Sequence, residues 1–167
     1  MQQLLVSDAN ILIDMEEGGL LSEMFQLPYE FVTPDILFYE ELEEDHSNLL
    51  GLGLALKEVS SESMMYAMQL TSTYVKTSRN DCFALALAKQ EECPLLTGDL
   101  ALRRAAEKET AIVKGSIWVI EQLVVHQVVT PQRARDALAL MKSNGRRLPW
   151  HLAEEAISEL ERELLNQ

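Results

Sequence analysis

Gln3-Leu4-Leu5-Val6-Ser7-Asp8-Ala9-Asn10 opens with a short apolar run and stops abruptly on an acid. Three apolar residues in succession, with no polar alternation, suit a strand covered on both faces, as in a parallel sheet. The arrangement returns at Pro94-Leu95-Leu96-Thr97-Gly98-Asp99, again a short apolar run closed by an acid. In parallel sheets the reactive groups collect beyond the carboxyl ends of the strands, so Asp8 and Asp99 are expected to open on one edge.

Working outward, residues 11–17 read as a helical segment stopped by Gly18-Gly19, and 20–26 as another. Residues 29–33 form a second strand candidate, and Pro34 suits the first turn of a helix running to about Asp45. An edge strand is expected within 52–59. A helix follows over 60–74, with Met64, Met65, Met68 and Leu70 expected in the core. Ser78 is positioned to cap a helix ending near Gln90. Helices are then expected over 100–108 and 116–125, with a strand at 111–114 between them. Two more, 131–142 and 150–165, are separated by Asn144-Gly145-Arg146-Arg147-Leu148-Pro149. Strand and helix alternate up to about residue 126. That order predicts an α/β fold with a central, mainly parallel sheet and helices on both faces, plus C-terminal helices. The expected division is a domain over 1–126 and a helical extension over 127–167.

With 167 residues, 47% of them hydrophobic and 25% charged, the chain has the composition of a globular domain able to bury a core. No apolar run approaches the ~20 residues that span a bilayer. The first residues lack the basic start of a secretory leader, so a cytoplasmic location away from membranes is expected. Cys82 and Cys93, the two cysteines, fit no metal or redox spacing and read as reduced thiols. The net charge of −13 is regional: residues 1–75 hold 14 acids against a single base, Lys57, whereas 76–167 hold 13 of each. Phosphate-binding proteins usually show a basic patch, so acidity concentrated in one half points either to a solvated surface or to bound cations.

Asp8, Asp99, Asp81 at a helix start and Glu40 after the second strand come from four segments that the alternating fold can bring together. Packed carboxylates repel, and a hard divalent cation with oxygen ligands is the usual resolution. His46, His126 and His151 are scattered and share no ligand spacing, which argues against zinc. Asp14 reads as a surface group.

Four segments resemble the motifs of PIN-domain nucleases, in the family's order, over about residues 3–126. Val6-Ser7-Asp8-Ala9-Asn10-Ile11-Leu12-Ile13-Asp14 resembles the opening motif. Thr33-Pro34-Asp35-Ile36-Leu37-Phe38-Tyr39-Glu40-Glu41-Leu42 resembles the segment giving the second acid. Asp81-Cys82-Phe83-Ala84-Leu85-Ala86-Leu87-Ala88 and Leu95-Leu96-Thr97-Gly98-Asp99-Leu100-Ala101-Leu102 resemble the third and fourth. The resemblance implies a Rossmann-like, three-layer α/β/α domain. It also implies an Mg²⁺- or Mn²⁺-dependent ribonuclease whose catalytic, metal-holding residues are Asp8, Glu40, Asp81 and Asp99.

Glu40 and Glu41 compete for the second position, and Glu40, six residues after Pro34, matches the family spacing better; Glu44 lies one helical turn further on. Asn10 and Thr97 resemble polar positions that orient a carboxylate or water, or else cap a helix and end a strand. Arg79, Arg103 and Arg104 are candidates for RNA phosphates, and Trp118 and Trp150 for base stacking or core packing. The resemblance further implies bacterial toxins of toxin–antitoxin pairs, often homodimeric, with an antitoxin protein as partner. Two alternatives remain open at this level. One is a catalytically silent PIN-like module that binds RNA or protein. The other is an Mg²⁺-dependent phosphoacceptor domain, for which Lys114 would be the late-strand lysine.

Overall fold

The computed structural model describes residues 2–167. Chain order is β1 (Gln3–Ser7), α1 (Ala9–Glu17), α2 (Leu21–Met24), β2 (Tyr29–Pro34), α3 (Asp35–Leu37), a π-helical turn (Phe38–Leu42), α4 (Glu43–His46), α5 (Asn48–Leu52) and β3 (Ala55–Lys57). It continues with α6 (Ser61–Thr73), α7 (Arg79–Gln90), β4 (Leu95–Leu96), α8 (Leu100–Lys108), β5 (Val113–Lys114), α9 (Ser116–Val125), α10 (Pro131–Ser143) and α11 (Trp150–Leu165).

All strand pairs are parallel and the sheet order is β3-β2-β1-β4-β5. The five-stranded sheet with its flanking helices is the three-layer α/β/α class read from the sequence, with C-terminal helices in addition. After β1 the chain builds outward through β2 to β3, then returns to the other side of β1 for β4 and β5. The switch point therefore lies between β1 and β4, where open α/β sheets form their binding crevice. The register fixes this crevice: Asp8 N–H donates to Leu96 O at 3.0 Å, and Thr97 N–H to Lys114 O at 2.9 Å.

The chain divides into two compact units, residues 1–11 with 28–114, and residues 12–27 with 115–167. The boundary expected at 126/127 falls inside the second unit. In the first unit, α7 is the central helix: Cys82 through Ala88 are all buried. A helix apolar all round belongs inside a core, and α7 packs against α6 on the one hand and β1, β2 and β4 on the other. In the second unit α9, α10 and α11 pack together, with Leu138, Met141 and Ile157 buried while Leu152 and Leu164 face outward. Arg135 of α10 donates to both carboxylate oxygens of Glu161 on α11, at 2.9 and 3.1 Å. Gly18 lies close against α10: a Cβ there would stand 2.5 Å from Met141 Cε and 3.3 Å from Ala137 O, so the methionine end would have to move aside.

Three expectations are corrected. Pro34 closes β2 in an extended conformation, and the following helix begins at Asp35. A prolyl φ near −57° suits both states, and ψ of 137° selects the strand. Met64, Met65 and Met68 are exposed, and Ala67 and Leu70 are the buried residues of α6. Asp14 is buried at 5% exposure rather than on the surface. It accepts from Ser116 Oγ at 2.7 Å and from Arg146 Nε at 2.6 Å, so a charge partner makes its burial tolerable. Among the described residues no helix is long and apolar enough to cross a membrane, and Cys82 and Cys93 are both free thiols.

Candidate active site

Asp8, Asp81 and Asp99 share one local device: each stands at the start of a helix. Asp8 follows β1 directly and its Oδ1 accepts the Ile11 N–H at 3.0 Å, capping α1. Asp99 follows β4 by three residues and its Oδ1 accepts the Leu102 N–H at 2.8 Å, capping α8. Asp81 forms a capping box with Ser78: its N–H donates to Ser78 Oγ at 3.0 Å, and the Ser78 N–H reaches Asp81 Oδ2 at 3.4 Å. A helix N-terminus carries exposed N–H groups and partial positive charge, which favour a carboxylate there. The capping role of Asp8 also places Asn10 in the second helical position, exposed, rather than at the cap.

Thr97 joins the two sides of the switch point. Its hydroxyl donates to Asp8 Oδ2 at 2.5 Å and accepts the Asp99 N–H at 3.0 Å. Thr97 is fully buried and Asp8 is 1% exposed, so this contact is made out of water, where it orients the carboxylate strongly. Asp8 and Asp99 are thus coupled through one hydroxyl.

Asp81 is half-buried, and desolvation pushes its carboxyl above the ordinary value. Hydrogen bonds from Ser78 oppose the shift and the charge of Asp99 adds to it. The adjacent glutamates differ sharply. Glu40 pairs with the Arg79 guanidinium and accepts from Asn80 Nδ2 at 3.1 Å, and these partners hold its carboxyl below the ordinary range. Glu41 is pushed up, first by desolvation of the carboxyl end and then by the charge of Asp81, against a hydrogen bond from Asn80. Both lie in the π-helical turn, where the Glu43 N–H reaches back five residues to Phe38 O. Such a turn shifts the register of everything after it and occurs often at functional sites. The fold therefore brings Asp8 next to Thr97 and Asp99, sets Asp81 within reach of the charges of Asp99 and Glu41, and engages Glu40 with Arg79. Arg79 also lies over the Phe83 ring at 5.8 Å.

Asn80 is a residue that sequence reasoning passed over. Its Nδ2 donates to Glu40 Oε2 at 3.1 Å, and its Oδ1 is buried with no partner among the described residues. The only available signal was its place between Arg79 and Asp81.

Among the described residues no three His, Cys, Asp or Glu side chains stand close enough to form a ready-made cage for one ion. Mg²⁺ rarely needs one, being held by one or two carboxylates, water and substrate phosphate. The donors here are hard oxygens, the carboxylates of Asp8, Asp81 and Asp99 and the unpartnered Asn80 Oδ1, and they fit Mg²⁺ or Mn²⁺.

The parallel sheet carries coupled carboxylates past its strand ends on either side of the switch point, an α/β fold with an acidic crevice. A family model described as a PIN domain matches residues 4–162, nearly the whole chain, and the chain belongs to the PIN-domain family. PIN domains are generally nucleases and typically use divalent metals. No curated protein matches the chain.

Proposed function

We propose that the chain is a metal-dependent endoribonuclease that hydrolyses RNA phosphodiester bonds at Asp8, Asp81 and Asp99, with Glu41 or Glu40 as the fourth acid. The observation that carries this reading is the Thr97 hydroxyl, which fixes Asp8 from β1 against the backbone of Asp99 beyond β4. A threonine spent on orienting one acid beside another is an arrangement that serves a shared ligand.

Asp8, Asp81 and Asp99 would hold Mg²⁺ or Mn²⁺, with Asn80 Oδ1 as a further oxygen donor. Bound there, the cation supplies Lewis acidity toward the phosphodiester and makes water a better nucleophile. The protein's own share is positional. Thr97 fixes the direction of the Asp8 carboxylate, and the capping bonds fix Asp81 and Asp99. Helix N-termini offer an environment suited to a phosphate. For the second acid the reading favours Glu41, which shares charge with Asp81, over Glu40, which is committed to Arg79. The proposed setting is cytoplasmic, as a homodimeric toxin paired with an antitoxin; a small neighbouring gene encoding a DNA-binding N-terminus supports that part, and its absence counts against it.

The test combines melting with cleavage. Mn²⁺ is expected to raise the melting temperature of the wild type by ligand linkage, and to do so far less for Asp8→Asn and Asp99→Asn. Equal shifts in all three would remove the ligand assignment. In Mg²⁺-supported RNA cleavage, Glu41→Gln is expected to lose more rate than Glu40→Gln, and the reverse order returns the role to Glu40.

A further inference from the structure

A groove of about 440 Å³ opens on the first unit between the segment after α6 and the outer face of α8. Tyr74, Val75 and Lys76 form one wall, and Leu100, Arg104 and Lys108 the other. Its volume is that of a site for a small organic ligand. Val75 is 81% exposed and Leu100 58% exposed, so two apolar side chains lie open to water inside it. None of its lining residues is acidic, in a chain whose net charge is −13. Among the described residues no carboxylate pairs with Lys76, Arg104 or Lys108.

The walls are ordered. Leu100, Arg104 and Lys108 recur every four residues on one face of α8, a track of about 12 Å. Tyr74 is fixed by its hydroxyl, which donates to Glu109 Oε2 at 2.7 Å, while the Tyr66 hydroxyl takes Oε1 at 2.6 Å. Lys89 Nζ holds the Glu109 backbone carbonyl at 2.7 Å. An aromatic ring clamped by its polar end leaves its face to a ligand at little entropic cost. Both walls also lead into the acids: Leu100 directly follows Asp99, and Thr77, which also lines the groove, precedes the Ser78–Asp81 capping box.

We propose that this groove seats single-stranded RNA beside the cleaved phosphate, with a base against Tyr74, Val75 and Leu100 and phosphates against Lys76, Arg104 and Lys108. The inference rests on the nuclease reading for the nature of the ligand. Charge complementarity supports it: three cations that no carboxylate pairs line the groove of a chain with a net charge of −13. The Glu109 carboxylate is taken up by the two tyrosine hydroxyls, and both walls continue in sequence into Asp99 and the Asp81 capping box. Stacking on an aromatic ring and phosphate contacts to flanking cations are how single strands are held without sequence readout.

The experiment measures binding apart from cutting. A short fluorescein-labelled single-stranded RNA of mixed sequence is titrated with protein in EDTA over a range of salt, by fluorescence anisotropy. The Lys76→Ala/Arg104→Ala/Lys108→Ala variant changes only exposed side chains. It is expected to bind more weakly, with a log K against log salt slope shallower by about 2, at ~0.7 for each contact with a single strand. Tyr74→Ala is expected to lose at least about fivefold in affinity and Tyr74→Phe much less, because the ring does the stacking. Arg162→Ala, on α11, is expected to bind as the wild type does.

A triple variant with unchanged affinity and slope overturns the groove assignment, and the nuclease reading stands if the wild type still cuts. Lost binding in the triple variant of a protein that never cuts supports the groove and defeats the nuclease reading. A wild type that binds no RNA overturns the proposal. So does a triple variant that changes sedimentation but not RNA affinity, because the groove then serves a protein partner.

Discussion

Asp8 and Asp14 lie six residues apart, both buried, one in each compact unit of the chain. Asp14 receives a guanidinium and a hydroxyl, from Arg146 and Ser116, and its negative charge is matched by a positive one. Asp8 receives a backbone N–H and the Thr97 hydroxyl, which orient the carboxylate, and Thr97 ties it to a second acid, Asp99. The first arrangement neutralises a buried charge and serves the fold. The second aligns acids with each other, which costs stability through repulsion and is worth retaining where a cation or phosphate chemistry uses them. Burial alone therefore says little about what a carboxylate does; Asp14 is held by a guanidinium, and Asp8 is oriented by a hydroxyl that also bonds Asp99.

The largest expected effect falls on Asp8. Asp8→Asn keeps an acceptor for the Ile11 N–H and should abolish metal-dependent RNA cleavage while melting at or above the wild-type temperature without metal, because repulsion falls. Cleavage rates and thermal melts check this, and a folded Asn variant that cuts normally would erase the contrast. Asp14→Asn should do the opposite. Removing the charge of Asp14 takes away the buried carboxylate that Arg146 Nε bonds, a loss of about 2–4 kcal/mol. At this chain length that lowers the melting temperature by about 4–16 °C. Cleavage per folded molecule should remain unchanged.

Thr97→Val sharpens the comparison from the donor side. It keeps shape and removes the hydroxyl between Asp8 and Asp99, and such supporting contacts are worth about 10–100-fold in metal affinity or activity. Mn²⁺ titration and initial rates measure it. A valine variant with full metal affinity and full rate would show that the hydroxyl merely ends a strand.

The smallest effect concerns Glu109, which is held below its ordinary value by the Tyr66 and Tyr74 hydroxyls. The unfolded chain therefore takes up this proton before the folded one as pH falls. The contribution is complete above the ordinary value of 4.5 and is lost as pH drops through the lower folded value. Glu109→Gln should cost a few degrees of melting temperature near neutrality. The gap to the wild type should narrow as pH falls below 4.5, and a gap independent of pH would assign the effect to packing.

Much of the fold was legible because its signals are local. The bounds of α8, α9 and α11 coincide with those read from helix punctuation, β1 covers the apolar run that stops at Asp8, and Ser78 caps α7 as its position suggests. Asp8, Asp81 and Asp99 were legible as acids at strand ends and helix starts, for the same reason. What escaped depends on distant partners or on register. The partner that buries Asp14 lies 132 residues away. The π-helical turn inserts a residue into the helix, so counting from Pro34 does not tell which of Glu40 and Glu41 faces Asp81. Met64, Met65 and Met68 have the spacing of a core face, but Ala67 and Leu70 fill that role in α6. The groove beside the acids rests on the pairing of Tyr74 with Glu109, 35 residues apart, which no short motif records.

The most direct measurement is cleavage of a mixed panel of single-stranded and structured RNAs in Mg²⁺, Mn²⁺ or EDTA, comparing wild type with Asp81→Asn. The expected result is endonucleolytic cutting by the wild type that needs metal and disappears in the variant. Equal cutting by both proteins, or cutting that persists in EDTA, would contradict a metal-dependent nuclease centred on Asp8, Asp81 and Asp99.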